Sequence, residues 1–134
     1  MGQQHVAGPF EVSVIPQGQP EVRDGVTTGR MAIDKRYHGA LEGTGVGEML
    51  SAMTTTEGSA GYVAIERINA TLEGRRGSFV VQHSGTMARG AQALSISVVP
   101  DSGTGELAGI AGTMRIRIEE SKHFYEFDYI LPTS

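Results

Sequence analysis

The chain predicts an all-β domain in which eight antiparallel strands, in up-and-down order, close into a small barrel. Three observations carry this expectation. Apolar residues recur at nearly every second position, and no stripe of period 3.6 persists for three turns. Glycine supplies 19 of the 134 residues, well above an ordinary share of about 7%. It is dispersed among Thr, Val and Ile rather than gathered in a linker, which suits tightly turned and coiled strands. Finally, eight strands joined mostly by short turns can close on themselves, and closure removes the edges that invite aggregation. A sandwich is the alternative arrangement of the same strands.

Each element follows from local pattern. Val6 to Ile15 alternates through Phe10, Val12 and Val14 and stops at PQGQPEVRDG, where Pro16, Pro20, Asp24 and Gly25 mark an irregular stretch (16–25) and a candidate lid. Val26 to His38 forms the second strand, about Glu42 to Thr54 the third, and Ala60 to Thr71 the fourth, with TTTEGS between the last two. The hairpin Leu72–Gly77 joins Ile65–Ile68 to Phe79–His83 and makes strands four and five antiparallel neighbours. The sixth strand, Ala91 to Val99, halts at Pro100–Gly103. One short helical turn around Glu106 to Ala108 is compatible with GTGELAGIAG, but Gly103, Gly105, Gly109 and Gly112 forbid a long helix. Thr113 to Glu119 and Phe124 to Leu131 complete the set.

Length and composition narrow the function classes. At 14.2 kDa, residues 1–134 fit one domain able to bury a core without crosslinks. There is no cysteine, which excludes disulfides, thiolate nucleophiles and Cys-based metal sites. The amino terminus MGQQHVAGPF has neither a basic nor an apolar signal region, and no apolar run approaches the roughly 20 residues that span a bilayer. A soluble, cytoplasmic protein without membrane contact is expected. A net charge of −4 and a pI near 5.5 have the wrong sign for a nucleic-acid partner. The basic pairs Arg75-Arg76 and Arg115-Arg117 read as solvated positions.

No cofactor or metal is expected either. His5, His38 and His123 are far apart and lack ligand spacing. Glu126 and Asp128 share a face of the last strand, opposite Tyr125, Phe127 and Tyr129, and suit solvent as well as a cation. Gly43, Gly45 and Gly47 superficially resemble a phosphate loop, but no helix follows to hold the anion. A G-x-S-x-G elbow is missing, which argues against a serine hydrolase. The methionines Met31, Met49, Met53, Met87 and Met114 suit an adaptable pocket or ordinary core filling.

Hairpin arithmetic supplies the candidate site. With Gly74 and Arg75 as the central turn residues, Glu66 falls opposite His83, on the face shared by Ile68, Phe79 and Val81. A three-residue Thr56-Glu57-Gly58 loop would pair Glu48 with Glu66, and alternation puts Tyr62 on the same face. Glu66, His83, Glu48 and Tyr62 are therefore the candidate catalytic residues, with Tyr62, Phe79, Val81 and Ile68 as candidate ligand contacts. Two carboxylates among apolar neighbours would not both ionise easily, so one pKa should rise, and the imidazole would complete a general acid and base. Turned outward, the same residues would be solvated cross-strand pairs. Val63, Ile65 and Val80 make the opposite face apolar as well, which suggests that the outer wall is covered in a homo-oligomer.

The segments YHGALEGTGVGEML (37–50), YVAIERINATLEGRRGSFVVQHSGTM (62–87), VVPDSGTGELAGIAG (98–112) and FYEFDY (124–129) resemble an uncharacterised bacterial family grouped with allene oxide cyclase. That resemblance spans nearly the whole chain and implies an eight-stranded antiparallel barrel and homo-oligomers. It implies no activity. Three functions are then expected in competition: binding of a small apolar or amphipathic molecule in the barrel, cofactor-free isomerisation or cyclisation by the Glu/His pair, or a filled barrel used as a structural or interaction module.

Overall fold

Alternation decides every strand of the structure, a computed structural model that describes residues 2–132. Nine strands follow one another: β1 (Gln4–Arg23), β2 (Val26–Tyr37), β3 (Leu41–Met53), β4 (Ala60–Leu72), β5 (Arg75–Ala88), β6 (Ala91–Val98), β7 (Thr104–Gly105), β8 (Ala111–Glu119) and β9 (Lys122–Ile130). Neighbours pair antiparallel in the order β1-β2-β3-β4-β5-β6-β8-β9, and β9 returns to β1. This is a closed eight-stranded barrel, with β7 as a short extra strand on β5 and no helix among the described residues.

The two ends of the barrel differ. At the end carrying the turns 38–40 and 73–74, inward side chains fill the interior: Tyr37, Leu41, Ile68, Leu72, Phe79, Val81, Tyr125 and Phe127 are buried. Phe79 and Phe127 stack with ring centroids 5.6 Å apart. The connection from β6 to β8 folds under this end, and its Leu107 and Ile110 are buried as a plug. Glu106–Gly109 forms turns closed by bonds such as Leu107 N–H to the Thr104 carbonyl, not a helix.

At the other end four hairpins rise, with turns at Asp24-Gly25, 54–59, Arg89-Gly90 and Glu120-Ser121. The seam between β6 and β8 is the weak one. Only Ile96↔Met114 and Ser97↔Thr113 pair there, whereas β3 and β4 pair from Leu41↔Leu72 to Met53↔Ala60. Leu94 and Ile118 belong to the inward-facing sets of β6 and β8, yet are 45% and 63% exposed because the wall splays open beside them.

The expected lid at 16–25 is instead strand and turn. β1 continues to Arg23, paired with β2 through an irregularity between Gln17 and Glu21. Beyond Phe10↔His123 this part of β1 has no second neighbour, so the missing N–H groups of Pro16 and Pro20 disturb no ladder between β1 and β9. The register break absorbs Pro20, and Gly18 takes a positive φ of 74° there.

Candidate functional site

Besides tyrosines, three ionisable side chains among the described residues are buried inside this barrel: Glu66 at 0% exposure, His83 at 3% and Lys35 at 5%. The Glu66 face of β4 therefore points inward, and the outward alternative is overturned. His83 Nε2 lies 2.9 Å from Glu66 Oε1. The register that delivers this contact is not the expected one. The turn residues are Glu73 and Gly74, with φ of 48° and 85°, so Leu72 pairs with Arg75 and Glu66 sits opposite Val81 rather than His83. The displacement preserves parity, and the two residues become diagonal instead of direct neighbours on one face.

Glu48 does not join them. The Thr54–Ser59 connection closes through the Thr54 N–H to the Ser59 carbonyl, one residue longer than the expected loop, and Gly47 rather than Glu48 pairs with Glu66. A one-residue slip moves a side chain through the sheet. Glu48 is accordingly outside, 3.8 Å from Arg30. Ile68, Phe79 and Val81 are inward as expected but belong to the packed half, not to a cavity wall.

Two partners of Glu66 come from β2 and were missed. Lys35 Nζ lies 3.0 Å from Glu66 Oε1, and the Tyr37 hydroxyl donates to Glu66 Oε2. Lys35 also stands 5.2 Å from the Phe10 ring centroid and 5.8 Å from that of Tyr37, where the π faces favour its charge. The available signal was Met31, Ile33, Lys35 and Tyr37 at period two, which places the lysine on an apolar face. The Gly43, Gly45 and Gly47 series is the complementary signal. A Cβ on Gly45 would fall 2.0 Å from Glu66 Oε2, so this inward glycine provides the space in which the carboxylate lies.

Burial by itself raises the Glu66 pKa. The His83 hydrogen bond, the Lys35 charge and the Tyr37 hydroxyl more than offset it, and the carboxyl is held below its usual value. The sequence led us to expect an elevated carboxylate. With Glu48 on the far side of the wall and three donors on Glu66, the shift runs downward. Tyr37 moves the other way, raised by burial and then by the adjacent Glu66 charge. Among the described residues every fully enclosed side-chain N or O has a hydrogen-bond partner.

Above this group the barrel opens into a cup of about 360 Å³. Cross-strand pairing arranges its wall in tiers. Met31 and Met49 pair in the lowest row, which continues past the cup's lining to Ala64 and His83; Ser51, Tyr62, Gly85 and Leu94 form the next; Met53, Ala60, Met87 and Gln92 reach the rim. Tyr62 lies across Gly85, where a Cβ would meet its ring at 2.6 Å, and its centroid is 6.3 Å from that of His83. Burial and then the Glu66 charge raise the Tyr62 pKa. A shallow groove on the outer wall, lined by Leu50, Val63 and Ile65 among others, is separate from the cup.

These features define a small closed β-barrel with an apolar mouth and a buried, hydrogen-bonded Lys–Glu–His group. Residues 6–129 match the protein family of unknown function DUF3224, and the chain belongs to that family. It is similar to a crystal structure of a DUF3224 protein of unknown function from Shewanella oneidensis MR-1, with 49% identity and a TM-score of 0.95, covering 99% of this chain and 100% of that one. No curated protein matches. Among the described residues no helix is long and apolar enough to cross a membrane, and no group of three or more His, Asp or Glu side chains is placed to hold a metal ion.

Proposed function

We propose that the barrel mouth binds a small, largely apolar or amphipathic molecule, as a cytoplasmic binding protein would. The observation that carries this reading is the asymmetry of the interior. Aromatic and aliphatic side chains fill one half, while the other is a cup whose wall is Met31, Met49, Tyr62, Met87 and Leu94. Its volume is near the lower end of the range of about 300–1,000 Å³ for ligand pockets, and unbranched thioethers adapt to irregular shapes. A completely filled structural module leaves this cup without a purpose. The resemblance to allene-oxide-cyclase barrels supports the same reading by analogy.

The test is native mass spectrometry of the full chain purified from its own host, followed by titration with the neutral fluorescent probe 1-aminoanthracene. A retained small molecule, and probe binding abolished by Met49→Glu, are expected. Absence of both would remove the proposal.

A second reading, cofactor-free isomerisation or cyclisation, is favoured by one observation: the buried Glu66–His83 pair sits directly beneath Tyr62, a residue of the cup wall. A pH-dependent reaction of the retained molecule, lost in His83→Gln, would establish it.

A further inference from the structure

The wall of the cup is incomplete, and its missing side has a defined register. The lining runs from Met31 on β2 to Leu94 on β6, so among the described residues β1, β8 and β9 contribute nothing to it. On that side β6 and β8 share only Ile96↔Met114 and Ser97↔Thr113. Continued residue by residue, the same register sets Ser95 against Arg115, Leu94 against Ile116, Ala93 against Arg117, Gln92 against Ile118 and Ala91 against Glu119. It ends where both strands end, since β6 starts at Ala91 and β8 stops at Glu119. The faces match as well. Leu94, Ile116 and Ile118 alternate inward with the buried Ile96 and Met114, while Ala93 and Ser95 are small outward residues over which the stems of Arg117 and Arg115 can lie. Neither stretch contains a proline, whereas the free edge of β1 beyond Phe10 carries Pro16 and Pro20.

Resting on the reading of the cup as a ligand site, we infer that β8 zips onto β6 along this register when the cup is occupied and completes the binding site, with Ile116 and Ile118 as added ligand-facing residues. Occupancy couples the two events. Closed over an empty cup, the new wall encloses a void whose lining lacks dispersion partners, and a ligand supplies them. An apolar ligand also covers Leu94 and Ile118, which are 45% and 63% exposed in the open barrel, and that burial favours the closed form alone. No ion pair opposes the movement. Among the described residues Arg115 and Arg117 pair only with Glu119, Glu126 and Asp128, all within the β8–β9 hairpin, and the Ala91–Ser95 stretch carries no charge. The two hairpins approach by added twist, each keeping its own ladder, β5 with β6 and β8 with β9.

The chain has no cysteine, so two introduced thiols report the closed register directly. Ala93→Cys with Arg117→Cys puts them on facing residues of the closed seam, within the Cα separation of a disulfide, whereas Ala91→Cys with Arg115→Cys sets them well out of register. Under mild oxidation of the full chain the first pair should crosslink faster than the second, and faster still with 1-aminoanthracene present. Once crosslinked, the first pair should bind that probe about tenfold more tightly than its reduced form, because a closed state populated at about a tenth no longer has to be selected. Ile118→Ser should weaken probe binding severalfold in the otherwise unaltered chain, although Ile118 lies outside the lining of the open cup, while Ile130→Ser, at an exposed site of β9, should leave it unchanged. Equal crosslinking rates for the two pairs, no gain in affinity on crosslinking, or full affinity in Ile118→Ser would each overturn the inference and leave the open cup a ligand site. If the parent chain binds no probe, the crosslinking rates still decide whether the seam closes, and its coupling to a ligand fails together with the ligand-site reading.

Discussion

Glu66 shows how far one side chain depends on the absence of another. Its carboxylate occupies the volume that a Cβ on Gly45 would claim, so Gly45→Ala forces either the carboxylate or strand β3 to move. Overpacking of this kind costs about 1–3 kcal/mol, and urea unfolding of the variant should show at least that loss. Unchanged stability would mean that Glu66 does not lie over β3. Charge gives a second prediction. A carboxyl held below its unfolded value contributes stability above the ordinary carboxylate pKa of about 4.3, and that contribution is lost as pH falls through the lower folded value. Glu66→Gln should therefore flatten the acid limb of the stability–pH curve. It should also lower stability at neutral pH by about 3–5 kcal/mol, because Lys35 is left buried without its counter-ion. An acid limb identical to that of the parent chain would refute this assignment.

At the level of elements, the barrel is as strong as its seams, and one seam is short. β4 is paired along its full length on both sides, whereas the Ala91–Ser95 stretch of β6 and the Arg115–Glu119 stretch of β8 have no ladder between them. The backbone N–H groups of β6 that point away from β5 in this stretch should exchange with deuterium on the scale of local opening. Those of β4 between Val63 and Ala70 should exchange only by global unfolding. Hydrogen-exchange NMR showing equal protection at the two places would contradict the open seam. The same opening makes the cup reachable from the side as well as from the top, since Gln92, Ala93 and Leu94 of β6 line it. The β1–β2 hairpin illustrates a related point. Two prolines read as a lid in the sequence, yet a strand accommodates them where its outer edge has no partner.

For the whole molecule the outstanding feature is the outer wall of β3 and β4, where Val46, Leu50, Val63 and Ile65 are each more than half exposed. Leu50 and Val63 are directly paired, which makes the patch continuous across the two strands. Arg30 and Glu48, an opposite-charge pair beside Leu50, suit the self-complementary contact of a two-fold dimer. A homo-oligomer is therefore expected. Light scattering at micromolar concentration should give a multiple of 14.2 kDa for the parent chain and the monomer mass for a Val63→Asp, Ile65→Lys double variant. A parent chain that is already monomeric would exclude the contact.

The sequence by itself determined the fold class, the approximate places of the strands and the shared face of Glu66, Ile68, His83 and Tyr62. Period-two alternation and glycine placement are local properties, and parity survives when a turn moves by one residue in a symmetric way, as it does at Glu73-Gly74. Tertiary structure alone decided which face was interior, because both faces of β4 carry apolar residues and only barrel closure selects between them. It also decided the membership of the buried group. Glu48 was lost through one extra loop residue, and Lys35 and Tyr37 were gained from a strand whose β3 partner presents Gly43 and Gly45 opposite them. The physical reason is that face follows from counting along one chain segment, whereas contact across an interior depends on every register around the barrel at once.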